Sequence, residues 1–141
     1  MTGDFQPQKA QLIMTLRGMG ILDSRVLAAL ESVPRELFVP PALCHHSYEN
    51  SSLPIAYDQT ISQPYVVARM TEALKLGGRE LVLEIGCGSG YQSAILSHLC
   101  RRVYSMERVR PLLVDAENRL RDLRISNISF RFGDGSKGWP E

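Results

Sequence analysis

Apolar residues recur at helical spacing from the start of the chain. Leu12, Ile13, Leu16 and Met19 follow a 3.6-residue repeat, and Gly18 and Gly20 supply a stop. Asp23 is a good N-cap ahead of Val26, Leu27, Leu30 and Val33, so a second helix is expected there. The stretch from Pro34 to Tyr57 holds Pro34, Pro40, Pro41 and Pro54. Proline fixes φ and removes a donor, so this stretch should be mostly irregular and cross the surface of something else. A third helix is expected next. Ser62 is placed to cap it, Pro64 suits its first turn, and Val66, Val67, Met70, Ala73 and Leu74 form an apolar stripe ending at Gly77-Gly78.

From about residue 79 the pattern changes. Leu81 to Ile85 is a short, apolar, β-prone run that leads into a glycine loop, and Tyr91 to Leu99 is helical with Ile95, Leu96 and Leu99 on its buried side. Val103 to Met106 reads as a second strand, and Ile128 to Phe132 as a third. Between these two, Pro111 to Leu123 is a helix carrying Leu112, Leu113, Ala116, Leu120 and Leu123. Strand, helix, strand, helix, strand predicts an α/β fold: a parallel sheet with right-handed crossovers, half of a doubly wound sheet. Residues 1–78 thus form a helical and loop region, and residues 79–141 the sheet.

The glycine loop Gly86-Cys87-Gly88-Ser89-Gly90 joins the first strand to its helix, with the acid Glu84 two residues ahead of it. Such a loop lets a ligand approach the backbone, and a helix N-terminus can offer N–H groups to an anion. A dinucleotide fold wants G-x-G-x-x-G, but the position of the last glycine is occupied by Tyr91. The form G-x-G-x-G resembles the first motif of class I methyltransferases, whose Rossmann-like sheet holds an amino-acid end and a nucleoside but no pyrophosphate. Glu107 ends the second strand about twenty residues on, where nucleotide-binding folds place an acid against ribose hydroxyls; the plainer alternative is a surface pair with Arg110. Asp134, between Gly133 and Gly135 after the third strand, can accept from an adenine amino group or serve as an ordinary turn residue. All three positions fall at the carboxyl ends of successive parallel strands, where open α/β sheets bind ligands.

Composition narrows the classes. Of 141 residues, 44% are apolar and 22% charged, with a net charge of +1, which suits one ordinary globular domain. Arg101-Arg102 is the longest basic run, so no nucleic-acid partner is expected. Cys44, Cys87 and Cys100 are widely scattered and fit neither a disulfide framework nor a zinc site. No metal is expected: His45-His46 are adjacent and lack a third ligand, and His98 reads as a surface residue. The first residues are polar and no apolar run nears the ~20 residues that span a bilayer, so a cytoplasmic protein with no membrane partner is expected. Trp139 is expected to be a packing residue.

Four segments are similar to the signature stretches of the protein-L-isoaspartate O-methyltransferase family. They are Val33 to Pro40, Thr60 to Tyr65, Val82 to Gln92, and Gly133-Asp134-Gly135, and they stand in the family's order and spacing. The likeness covers essentially the whole chain and is nearest to the bacterial branch. The Thr-Ile-Ser-Gln-Pro segment separates this family from methyltransferases at large. The resemblance implies transfer of a methyl group from S-adenosyl-L-methionine to the α-carboxylate of L-isoaspartyl residues in damaged proteins, as the first step of protein repair, leaving S-adenosyl-L-homocysteine. By position, Ser62 corresponds to the active-site serine, and Thr60, Ile61 and Gln63 to the segment against cofactor and substrate. Glu84, Gly86, Gly88 and Gly90 would form the cofactor loop, Glu107 would hold the ribose, and Asp134 with Gly135 would meet the adenine. Cys87 stands where many relatives have threonine or serine. Tyr65 and Val67 stand where animal relatives carry histidines, so no histidine role carries over.

An α-carboxylate is ionised at neutral pH, with a reference pKa near ~3.5, so its methylation needs no proton removed. The protein must instead align the reacting groups and exclude water. Other readings are a cofactor-binding adaptor without turnover, a different class I methyltransferase, and an NAD-dependent oxidoreductase, which the glycine spacing disfavours. In the family the chain continues beyond this point into further strands of a seven-stranded sheet. These residues alone are therefore expected to be an incomplete sheet, with the first strand left as an apolar edge prone to association and with no activity of their own.

Overall fold

The computed structural model describes residues 3–140; Met1, Thr2 and Glu141 lie outside the described residues. Helix α1 spans Gln6–Gly18 and buries Leu12 and Leu16. Gly20 turns the chain with φ +100, a left-handed value that suits glycine. Met19 falls past the last helical turn and is exposed, so it does not join the apolar side. Helix α2 spans Ser24–Ser32, capped by Asp23, whose carboxylate accepts the Arg25 amide at 2.9 Å. Val26, Leu27, Leu30 and Val33 are all buried.

The proline-rich stretch contains short 3-10 turns at Arg35–Phe38 and Pro41–His46. It ends in a two-residue strand β1, Leu53–Pro54, paired antiparallel with β2, Thr60–Ile61. The connecting turn passes through Tyr57 and Asp58, both left-handed at φ 60 and 55.

Helix α3 spans Pro64–Leu74 and departs from expectation in three ways. Ser62 does not cap it. The cap residue is Gln63, and the first-turn amide of Tyr65 donates to the Asn50 side chain at 3.0 Å, so the cap arrives from a remote loop. The buried side is Pro64, Val67, Ala68 and Thr71; Val66, Met70, Ala73 and Leu74 are exposed. The helix presents two apolar sides, and contact with α2 selected one of them. It also ends earlier than Gly77-Gly78, with Lys75 adopting the left-handed cap at φ 51.

Strands β3 (Leu81–Ile85), β4 (Arg102–Glu107) and β5 (Ile128–Phe132) form a parallel sheet in that order. Helices α4 (Tyr91–Ser97) and α5 (Arg110–Asp122) are the crossovers. Both pack on the side bearing Val82, Glu84, Val103, Ser105 and Phe130. Among the described residues the other side carries Trp139, edge-on to Tyr104 with ring centroids 5.1 Å apart and stacked by Arg131. Leu81, Leu83 and Ile85 on that side are exposed, so among the described residues β3 is covered on the face of Val82 and Glu84 and its wholly apolar face is open. No helix among the described residues is long and apolar enough to cross a membrane.

Candidate functional site

The carboxyl ends of β3, β4 and β5 converge on a cavity of about 350 Å³. Gly86 and Gly88 line it from the glycine loop, Glu107 from the end of β4, and Asp134 and Gly135 from the loop after β5. Gln59 and Thr60 close it from the β1–β2 hairpin. Gly135 has a specific reason to be glycine: a Cβ there would stand 2.3 Å from Ile85 Cγ2. Any side chain would have to displace Ile85 or fill the cavity floor.

The loop backbone is left-handed at each glycine, with φ +83 at Gly86, +51 at Gly88 and +90 at Gly90, values costly for other residues. Most of its amides are already engaged. Gly86 and Cys87 donate to the Met106 carbonyl at 2.8 and 3.2 Å, Gly90 to Cys87 at 2.8 Å, and Tyr91 to the Ser89 hydroxyl at 3.2 Å. With Gly88 bonded to Glu107, four of the five loop amides are held from within the protein, so the loop offers a backbone surface braced from below. Gly90 lies outside the cavity. A Cβ there would meet Ala116 Cβ at 3.2 Å, so this glycine lets α4 sit close to α5.

Glu107 is buried at 7% exposure and makes no ion pair with Arg110 among the described residues. One carboxylate oxygen accepts the Gly88 amide at 2.9 Å, the other the Val109 amide at 3.0 Å. Each oxygen keeps lone-pair capacity for a further donor on the cavity side. Asp134 lies in the cavity wall and is also a turn aspartate: it caps the 3-10 turn Gly135–Lys137, accepting the Ser136 amide at 2.9 Å and hydroxyl at 2.8 Å. These bonds, the amide first, hold its carboxyl below the usual carboxylate range.

Ser62 lines a second cavity, of about 410 Å³, with Val66, Met70, Leu83, Glu84 and Gln92. Ile85 and Gly86 line both cavities, so the two share a wall at the head of the glycine loop. The Ser62 hydroxyl is exposed and makes no hydrogen bond among the described residues. Glu84 is tied beneath the loop. It accepts from the Ser93 hydroxyl and, at 2.7 Å, from the Ser105 hydroxyl. Burial pushes its carboxyl above the ordinary range against the pull of those two bonds. Burial likewise pushes the Cys87 thiol up to about 12.

Two expected site residues serve the scaffold. Ile61 is a core residue at 3% exposure, and Gln63 donates to the Asn50 carbonyl at 3.0 Å. Sequence reasoning missed Arg35, Asn50 and Arg119. Arg35 is wholly buried and donates to the Ser62 carbonyl at 2.9 Å, and Arg119 donates to the Ser89 carbonyl in the loop at 2.6 Å. Their proline-rich and amphipathic surroundings gave no local sign of these roles. His46 pairs with Glu49 at 2.8 Å on the surface, and no cluster of three potential metal ligands occurs among the described residues.

The protein-L-isoaspartate(D-aspartate) O-methyltransferase family model matches residues 7–141. A protein-L-isoaspartate O-methyltransferase of Parvibaculum lavamentivorans is 57% identical over 136 residues, 96% of this chain and 61% of that protein. One from Yersinia enterocolitica is 58% identical over 128 residues, covering 91% of this chain and 62% of that protein. A solved protein-L-isoaspartate O-methyltransferase superimposes with a TM-score of 0.82 at 30% identity over 94% of this chain and 44% of that one. A Plasmodium falciparum structure of the same description, in complex with S-adenosyl-L-homocysteine, shares the fold with a TM-score of 0.69 at 23% identity, over 87% of this chain and 62% of that one. The chain thus spans less than two thirds of the length of these relatives. With a family match over nearly its whole length, and with the glycine loop, the strand-end acid and the Thr-Ile-Ser-Gln-Pro segment gathered at one end of the sheet, the chain belongs to the protein-L-isoaspartate(D-aspartate) O-methyltransferase family.

Proposed function

We propose that this chain carries the cofactor-binding part of a cytoplasmic enzyme that methylates the α-carboxylate of L-isoaspartyl residues in damaged proteins. The observation that carries the reading is the pair of adjoining cavities, with Glu107 lining one, Ser62 the other, and Ile85-Gly86 between them. The residues of the first cavity suit a nucleoside with an amino-acid tail. Glu107 is an ionisable acceptor at the strand end, Gly135 lets its loop close directly onto Ile85, and the glycine loop lines the cavity with the backbone of Gly86 and Gly88. S-adenosyl-L-methionine, when bound, supplies a methyl group on a positively charged sulfur, which keeps the bonding pair as the methyl leaves for an oxygen nucleophile.

The chain's own residues position and shield. Glu107 would accept from two ribose hydroxyls while its Gly88 and Val109 bonds keep the carboxylate aimed. The Asp134 loop would take the base. Ser62, its hydroxyl uncommitted, would donate to one oxygen of the substrate carboxylate and turn the other toward the shared wall. The carboxylate is already ionised, so no base need act on it. The three free thiols, two of them buried, suit a reducing compartment.

The test uses the full-length protein, S-adenosyl-L-methionine labelled in the methyl group, and two peptides that differ only in an isoaspartyl or aspartyl linkage. Base-labile label should enter the isoaspartyl peptide alone. Tight binding of S-adenosyl-L-homocysteine with no label transferred would instead favour the adaptor reading.

A further inference from the structure

The most unusual buried group in the structure is Arg35. Its side chain is fully buried, yet no carboxylate pairs with it among the described residues. Its partners are carbonyl oxygens: Nε donates to Ser47 at 2.6 Å, and Nη2 donates to Ser62 at 2.9 Å and reaches Ser51 at 3.5 Å. The guanidinium stacks over the Tyr91 ring, 4.8 Å from its centroid. The Arg35 amide donates to the Tyr48 hydroxyl, which in turn donates to Glu36. Burying a cation against neutral partners is costly, so a scaffold that needed only filled volume would place an apolar side chain here.

The acceptors explain the arrangement. Ser47 and Ser51 lie in the loop after the second 3-10 turn, and Ser62 follows the two-residue strand β2. Asn50 ties this loop to Gln63 and Tyr65, and Arg35 adds the bond that reaches Ser62 itself. A rigid planar fork with five donors holds carbonyls from separate segments in one fixed geometry, which the three rotatable donors of an ammonium group do not. Tyr91 is the first residue of α4, directly after the glycine loop. The guanidinium therefore joins the backbone of Ser62 to the helix that follows directly on the loop of Gly86 and Gly88. Because the Ser62 hydroxyl has no bond of its own among the described residues, its direction depends on how its backbone is held.

We propose that Arg35 is a positioning residue: it sets the place of Ser62 relative to the glycine loop, and so the alignment of the methyl acceptor. This rests on the methyltransferase reading above. Small misplacements of a reacting group cost on the order of a hundredfold in rate. In the full-length protein, Arg35→Lys keeps the charge and removes the fork. It should lower kcat for an isoaspartyl peptide roughly ten- to hundredfold and leave the Kd for S-adenosyl-L-homocysteine within about threefold. The decisive comparison is the cycle with Ser62→Ala. If Arg35 acts through Ser62, Arg35→Lys should cause little further loss of kcat in the Ser62→Ala background. Effects on kcat that multiply independently, or an unchanged kcat in Arg35→Lys, overturn the assignment. Should Arg35→Lys fail to fold, Tyr91→Leu removes the ring beneath the guanidinium and takes its place in the cycle, where independent effects or an unchanged kcat again overturn the assignment. Amide hydrogen exchange reads the link without any activity: exchange at residues 60–63 should quicken in the variant while that of β4 stays unchanged. A wild-type protein that methylates nothing defeats the methyltransferase reading, and the exchange measurement then judges Arg35 alone. Unchanged exchange at residues 60–63 overturns its positioning role.

Discussion

Glu107→Gln separates two roles that meet in one carboxylate. The substitution keeps the shape, but an amide has one oxygen, whereas Glu107 accepts the Gly88 amide on one oxygen and the Val109 amide on the other. One of these N–H groups must then face an NH₂ group at a site only 7% exposed. Losing one bond to a buried charged acceptor costs about 1.5–3 kcal/mol of stability. In binding, the charge that would accept from two ribose hydroxyls also disappears. A further loss of about 1.5–3 kcal/mol corresponds to a roughly ten- to hundredfold weaker Kd. Calorimetry with S-adenosyl-L-homocysteine on the full-length protein gives the second number, and chemical denaturation without ligand gives the first. A Kd within twofold of wild type alongside lowered stability would refute the ribose role and leave Glu107 a brace of the loop. Unaltered stability would refute the bracing geometry itself.

Three further outcomes are expected. Ser62→Ala should leave stability within ~0.5 kcal/mol, because its hydroxyl caps nothing, while Asn50→Ala, which removes the remote cap on Tyr65, should cost about 1 kcal/mol; melting curves reversing that order would restore Ser62 as the cap. Gly135→Ala should cost about 1–3 kcal/mol and weaken S-adenosyl-L-homocysteine binding, and Ile85→Ala in the same protein should recover part of the binding; no effect of Gly135→Ala would show that Ile85 yields freely. Glu84, its carboxyl raised by burial, binds its proton more readily folded than unfolded. Its contribution to stability should therefore fall as pH rises from the unfolded value, ~4.3, through the higher folded value, and stay low above it. Glu84→Gln should flatten that decline in denaturation midpoints taken between pH 4.5 and 8, and parallel curves for the two proteins would contradict it.

What could be read along the chain was what neighbouring residues decide among themselves. The three strands and their crossover helices announced themselves by period and by glycine. Leu81 to Ile85 and Ile128 to Phe132 were placed to the residue. Asp23 was readable as a cap because its partner, Arg25, is two positions away. The strand-end acid Glu107 and the glycine loop were found because β-α-β geometry turns a spacing in sequence into a meeting in space.

Other features required the tertiary structure because their partners are distant. Helix α3 carried two apolar sides, and only packing against α2 chose Val67, Ala68 and Thr71 over Val66, Met70 and Leu74. Its cap moved from Ser62 to Asn50 because a side chain 15 positions from the Tyr65 amide reached it, which left the serine hydroxyl uncommitted. Arg35 stood in the Val33 to Pro40 stretch that carries the family likeness, with nothing local to assign it a partner, yet it binds a carbonyl 27 positions away. Periodicity records which face of a segment is apolar. It does not record which buried donor meets which carbonyl across the fold, because that pairing exists only once the chain has closed on itself and water has left.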